Sequence, residues 1–288
     1  FRSWTLELLF KGPFANVLTF KGGTSLSKGY KIINRFSEDI DLTIDKSKLA
    51  LDPEKSLEEP DLSRNQRKKR DKTFHESVVA FIENEFQPWI EYAIDEKLSG
   101  AGEQGYELIS DPEDTLNLFF SYPKAFDYPD YIKPFVRLEL GARGVMSPHY
   151  DMPVVPYAAE ALPKLFENLK PITVPILGIE RTFWEKATIL HSVACRPDDK
   201  PVRERFSRHY YDTFLLSNNT EVIEKAIQDV DLLEAVVANK KTYFFESWDW
   251  YDTAKKGSFR LIPADERIKD LREDYQSMQE MIFSDSPN

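Results

Sequence analysis

Over the first 45 residues the apolar positions change period three times, and each change predicts an element. Residues 4–14 place Leu6, Leu8 and Leu9 on one side of a short amphipathic helix, and the apolar run at 17–20 has the length of a buried strand. The run ends at Gly22-Gly23. Leu26, Tyr30 and Ile33 then recur at i, i+4 and i+7, with Thr24 or Ser25 as the expected N-cap of a second helix. Over residues 38–44 the period shortens to two. Asp39, Asp41 and Thr43 alternate with Ile40, Leu42 and Ile44, so a half-buried strand carries both carboxylates on one face.

Residues 61–97 read as helix, with an apolar stripe through Val78, Phe81, Ile82 and Phe86 and an expected break at Pro88. Aromatic and β-branched content predicts strands at 106–109, 116–122 and 135–140. The last of these alternates Arg137 and Glu139 against Val136, Leu138 and Leu140. A proline-punctuated stretch leads to a final strand at 173–177, and from Ile179 onward the pattern is helical. The expected fold is therefore α/β (α+β): a mixed sheet with helices over residues 1–178, interrupted by a helical insertion at about 61–98, then a C-terminal helical domain over 179–288, with the active site between them. In that second domain Ile179, Phe183, Ala187, Leu190 and Ala194 form a stripe, and Lys186 lies within about 60° of its centre. The turns around Asp212 are apolar nearly all round, so its charge needs a partner, with Arg208 one turn back and Lys186 as candidates.

Composition narrows the class. With 41% hydrophobic and 13% aromatic residues the chain can fill a sizeable core, and 18 prolines against 11 glycines suit defined loops rather than low-complexity sequence. A single cysteine, Cys195, cannot form an internal disulfide, and four scattered histidines have no zinc spacing, which points to a reducing compartment and a cytoplasmic location. No stretch approaches the roughly 18 apolar residues needed to span a bilayer, so no membrane partner is expected. The sequence begins at Phe1 without a methionine, so N-terminal residues are expected to be missing. A net charge of −11 argues against general coating of nucleic acid. One run departs from that balance: RNQRKKRDK, residues 64–72, has six basic residues and one acid, and reads either as a solvated helix face or as a contact strip for RNA phosphates. His191 and His209 read as structural, and the aromatic group Tyr243, Phe244, Phe245, Trp248, Trp250 and Tyr251 as buried core or interface.

The chemistry concentrates in two places. A strand running into Gly22-Gly23 and then a helix offers free backbone N–H groups to an anion, to which Thr24, Ser25 and Ser27 add hydroxyls and Lys28 a point charge. Asp39 and Asp41, about 6 to 7 Å apart along a strand, suit a hard cation such as Mg2+ or a pair of them, with Glu139 from a neighbouring strand completing the set. Either feature alone is a weak signal. Their separation of 16 residues, Gly23 to Asp39, is a helix and a return loop long, which sets the two strands side by side.

The stretch FKGGTSLSKGYKIINRFSEDIDLTI, residues 20–44, resembles the signature of AbiEii/AbiGii-type nucleotidyltransferase toxins of type IV toxin–antitoxin systems, within the DNA polymerase β-like superfamily. VRLEL at 136–140, ERTFWEKATILH at 180–191 and SRHYYDTFLL at 207–216 extend the likeness over most of the chain. The resemblance implies an NTP substrate held at Gly22, Gly23, Thr24, Ser25 and Lys28. It also implies metal on Asp39, Asp41 and Glu139, a catalytic Lys186 and Asp212, an RNA acceptor at the tRNA 3′ end, and a cognate antitoxin. Transfer to a protein or small molecule, or nucleotide binding without turnover, are the alternatives. Ser37, two residues before Asp39, is a further nucleotide-site candidate, since a phosphate there would bring about −2 charge beside the acids.

Overall fold

The computed structural model describes residues 1–37, 39–102, 104–122, 135–197, 201–245 and 250–282. Its period-two segments form one seven-stranded mixed sheet in the order β3-β4-β5-β2-β1-β7-β6. These strands are β1 (Leu18–Lys21), β2 (Asp39–Ile44), β3 (Glu107–Ser110), β4 (Asn117–Ser121), β5 (Phe135–Gly141), β6 (His149–Val154) and β7 (Ile172–Leu177). The acid strand β2 is the central one. It runs antiparallel to β1 and parallel to β5, and Ile40, Leu42, Leu138 and Leu140 on its core face and that of β5 are fully buried. Strand β6, with four of its six residues exposed, is the one the periodicity did not predict. Its burial is too shallow to impose an alternation.

The chain divides into two compact units, one formed by Phe1–Gly29 and residues 38–176, the other by Tyr30–Ser37 and Leu177–Asn288. The first holds the sheet with helices α1 (Arg2–Lys11), α2 (Gly22–Lys28), α3 (Arg64–Phe81), α4 (Gln87–Gly100) and α5 (Tyr157–Ala161). Pro88 does not break the helical path as expected. One wide turn, Ile82–Phe86, joins α3 to α4, and the Gln87 N–H donates to Ile82 O, five residues back. That wider turn accommodates a proline that cannot donate and would crowd the carbonyl four residues before it. Val78, Phe81, Ile82 and Phe86 all remain buried.

The second unit holds α6 (Ile179–Ala194), α7 (Ser207–Ser217), α8 (Thr220–Gln228), α9 (Leu232–Tyr243) and α10 (Asp265–Met278). Trp184 and Ala187 of α6 pack on Ala226 of α8 and on Leu232, Leu233 and Val236 of α9, and the Trp184 Nε1–H donates to Ala226 O at 3.0 Å. Among the described residues no helix is long and apolar enough to cross a membrane.

Candidate active site

The site begins where β1 ends. Lys21 is still extended, but Gly22 turns to φ +76°, a left-handed conformation that side chains other than glycine adopt only with strain. Helix α2 starts at Gly22 itself, so the expected N-cap at Thr24 or Ser25 is not formed. Thr24 Oγ1 donates instead to Asp39 O at 2.5 Å, and Ser25 Oγ to Gly22 O at 2.8 Å. These hydroxyl protons brace the turn and are spent as donors, so what the turn retains for an anion is its backbone N–H groups. The helix is also shorter than expected, ending at Lys28 before Tyr30 and Ile33, because residues 30–37 leave for the second unit. With seven residues its dipole is small.

Across the sheet a row of polar side chains forms on one face. Lys21 pairs with Asp41, Asp41 with Glu139, and Glu139 with Asn117. Adjacent strands lie about 4.8 Å apart, so the Asp41 and Glu139 carboxylates are directly opposed neighbours of like charge. Burial, and then the charge of Asp41, push the Glu139 carboxyl above its ordinary range, against smaller opposing pulls from Lys21 and Arg137. Asp39, one step along the same face of β2, pairs with Arg137. The Gly22 turn closes directly on this row, since a Cβ at Gly22 would lie 1.9 Å from Asp41 Oδ2.

A hard divalent cation fits this donor set. Two carboxylates in enforced proximity, both supplying oxygen ligands, are stabilised by the charge they lack. Asn117 adds an amide on the same face: it is fully buried, and neither its Oδ1 nor its Nδ2 has a hydrogen-bond partner in the structure. Among the described residues no three His, Cys, Asp or Glu side chains are already gathered as a cage.

In the second unit Asp212 of α7 is completely buried and receives three charged hydrogen bonds. Arg35 Nε and an Arg35 terminal nitrogen donate to its two oxygens at 2.8 Å each, and Lys186 Nζ of α6 donates at 2.8 Å. Burial alone would raise the Asp212 pKa. The Lys186 ammonium and the Arg35 guanidinium outweigh it and hold the carboxyl well below the usual range. The partner is thus Lys186, as expected, together with Arg35 rather than Arg208. A bidentate guanidinium inside a low-dielectric helix pair outcompetes an i−4 surface contact.

Against protein families, residues 5–288 match the model described as nucleotidyl transferase AbiEii toxin, Type IV TA system. The chain belongs to this family. It is a nucleotidyltransferase, the toxin of a type IV toxin–antitoxin system, and the family brings with it an NTP substrate and an antitoxin partner. Among solved structures it is similar to MenT4, a nucleotidyltransferase toxin from Mycobacterium tuberculosis H37Rv, at 16% identity and a TM-score of 0.45, covering 99% of this chain and 83% of that one. A search of curated proteins found no match.

Within this AbiEii-type chain, Lys28, expected at the nucleotide, is held by other partners. Lys28 is buried, donates to Val155 O and to Glu160 at 3.3 Å, and lies over the Tyr157 ring of α5. It could meet a phosphate only by leaving that cluster. Ser37 is buried and belongs to the second unit. His191 and His209 both lie on helices of the second unit. His191 Nδ1 accepts from the Arg260 N–H at 3.0 Å, which leaves the Nε2–H to donate to Thr253 Oγ1 at 2.9 Å, and burial holds the pKa of His209 well below normal. Of the aromatic group, Tyr243 and Tyr251 are buried, Phe244 and Trp250 are exposed, and Trp248 lies outside the described residues.

Three residues beside the predicted ones escaped the sequence: Lys21 and Asn117 in the polar row of the sheet, and Arg35 at Asp212. Lys21 and Asn117 are legible only through strand register, which pairs them with Asp41 and Glu139. Arg35 sits in the quoted signature, yet its partner is 177 residues away.

Proposed function

We propose that this chain transfers a nucleoside monophosphate from an NTP to an acceptor hydroxyl, with Mg2+ held by Asp39, Asp41 and Glu139. The observation that carries this reading is the Gly22 turn seated on the Asp41 carboxylate with Glu139 opposite, which sets a glycine turn against two neighbouring carboxylates. Bound there, Mg2+ would supply Lewis-acid activation of the acceptor oxygen and neutralise the leaving pyrophosphate. The chain's own part is positional: the backbone N–H groups of Gly22, Gly23, Thr24 and Ser25 orient the triphosphate, and the two strands hold their carboxylates in register before the substrate arrives. To Lys186 we assign the cation that steadies charge developing on the phosphates, with Asp212, itself held by Arg35, fixing its direction. Lys28 would join only after release from Glu160. In this reading Phe1–Gly29 with residues 38–176 serves as the nucleotidyltransferase core, and Tyr30–Ser37 with Leu177–Asn288 as the helical domain.

The proposed acceptor is RNA at the tRNA 3′ end, with the toxin acting in the cytoplasm. Labelled NTP and Mg2+ incubated with total RNA and, separately, with RNA-free lysate protein should mark the RNA fraction; label in protein alone would replace RNA by a protein acceptor. Pyrophosphate release should disappear in Asp41→Asn, and a variant that keeps it would remove Asp41 from the reaction. Ser37, two residues before Asp39, stays a nucleotide-site proposal: the charge added in Ser37→Glu should weaken NTP binding in calorimetry, beside a melt showing that the buried position still folds.

A further inference from the structure

We propose that the first two turns of α3 form a contact strip for the phosphate backbone of the RNA acceptor, through Arg64, Lys68 and Lys69. This rests on the RNA-acceptor reading above. All three side chains are exposed, and among the described residues none has an acidic partner. The other basic residues of the run are differently placed. Arg70 pairs with Glu59, Lys72 reaches Glu76 at 3.8 Å, and Arg67 is only half exposed.

These three charges do nothing for the helix that carries them. A Ser63–Gln66 capping box starts α3, and its first turn contains no acid, so the cations crowd the end where the helix dipole is already positive. Arg64 and Lys68 stand at i and i+4, a spacing at which like charges repel. The chain as a whole is acidic, with a net charge of −11. A local arrangement that opposes both helix dipole and charge spacing, kept on an acidic protein, is complementary to a polyanion laid along the helix, and each phosphate neutralised would release a counterion.

The strip is also tied to the acid face. Asp71, between these residues and the buried half of α3, pairs with Arg143 at 2.8 Å. Arg143 follows β5, the strand of Glu139, and its neighbour Gly144 lies so near Thr43 that a Cβ there would come within 2.7 Å of Thr43 Oγ1. Thr43 is two residues beyond Asp41 on the same face of β2. A chain of contacts within one compact unit therefore connects the strip to the strand that carries the acids.

The test uses the full chain and a labelled RNA hairpin with a single-stranded 3′ end. In Arg64→Gln/Lys68→Gln/Lys69→Gln, affinity near 100 mM salt should fall at least about tenfold, and the slope of log Kd against log salt should flatten by about three, one per contact. NTP binding by calorimetry should be unchanged, and the melting temperature unchanged or higher, since the variant removes charges unfavourable to α3. An unchanged slope in the variant overturns the strip. So does wild-type protein that does not bind the hairpin, or poly-glutamate displacing the hairpin as well as unlabelled RNA does, which would make this a surface for an acidic protein. Transfer of label to the hairpin, measured in parallel, separates the two readings. Transfer by wild type with identical binding by the variant sinks the strip alone; loss of binding in the variant with no transfer by wild type sinks the acceptor reading alone.

Discussion

Gly22 and Asp41 are packed so closely that the missing side chain of the first is the space occupied by the carboxylate of the second. A Cβ on Gly22 would fall 1.9 Å from Asp41 Oδ2 and 2.5 Å from its Cγ, and the glycine backbone is left-handed besides. The glycine turn and the acid strand are thus one piece of steric geometry.

Gly22→Ala should therefore damage both conformation and site. The strained backbone and the displaced carboxylate together are expected to cost about 1–3 kcal/mol of stability. Pyrophosphate release should fall by two orders of magnitude or more, because Asp41 must move for the methyl group to fit. Denaturant melts beside a release assay check this; a variant with normal turnover would mean that Asp41 acts from a different position.

Asp41→Asn separates charge from shape. Burial first, and then the charge of Asp41, raise the Glu139 carboxyl above its ordinary range, so its ionisation is disfavoured in the folded chain. A raised folded value means the native state holds its proton longer than the unfolded one, so stability falls as pH rises from about 4.5 through the folded pKa. Replacing Asp41 with the neutral amide should shrink that loss while abolishing transfer. Metal-free urea melts between pH 4 and pH 8 would read it. An unaltered pH profile would mean the two carboxylates do not sense each other.

Asp212→Asn should have the opposite character. Its carboxyl is depressed below the usual 3.8 by Lys186 and Arg35 despite complete burial. The stability it contributes is present above the unfolded pKa and is lost as pH falls toward the folded one. At neutral pH the variant strands two buried cations and should lose about 3–5 kcal/mol. The gap to wild type should narrow below pH 4. A gap that stays constant with acidification would point to packing rather than charge.

Asn117→Leu asks what an orphaned amide is for. Leucine fills similar volume without an unmet donor and acceptor, so the fold should gain about 1 kcal/mol. If the amide serves the acid row, the Mg2+ concentration needed for half-maximal NTP binding should rise. Increased stability with an unchanged metal requirement would assign Asn117 to the core alone.

The sequence made the alternation of β2 and β5 plain because each buries one face and leaves the other polar, and Gly-Gly announced its turn. Where a residue's role depends on register, the chain could not reveal it: Asn117 looks like any strand-edge polar residue until β4 is laid on β5. Arg35 was hidden for another reason, since its partner lies in α7 and no local pattern points there. The spacing offers the Thr24 and Ser25 hydroxyls to an anion, but a helix that begins at Gly22 turns them onto backbone carbonyls. Strand β6 went unseen because an exposed strand leaves no hydrophobic rhythm.

The peptide connecting the glycine turn to the acid strand, Tyr30–Ser37, belongs to the helical unit, where Arg35 grips Asp212 and the Phe36 N–H donates to Met281 O at 2.7 Å. Cutting the gene after residue 178 would thus keep every acid of the sheet yet unmoor the link between them. The two units are interleaved rather than strung in series, and neither should be exchangeable as a cassette: a chimaera would have to carry those eight residues along with the helices they clasp.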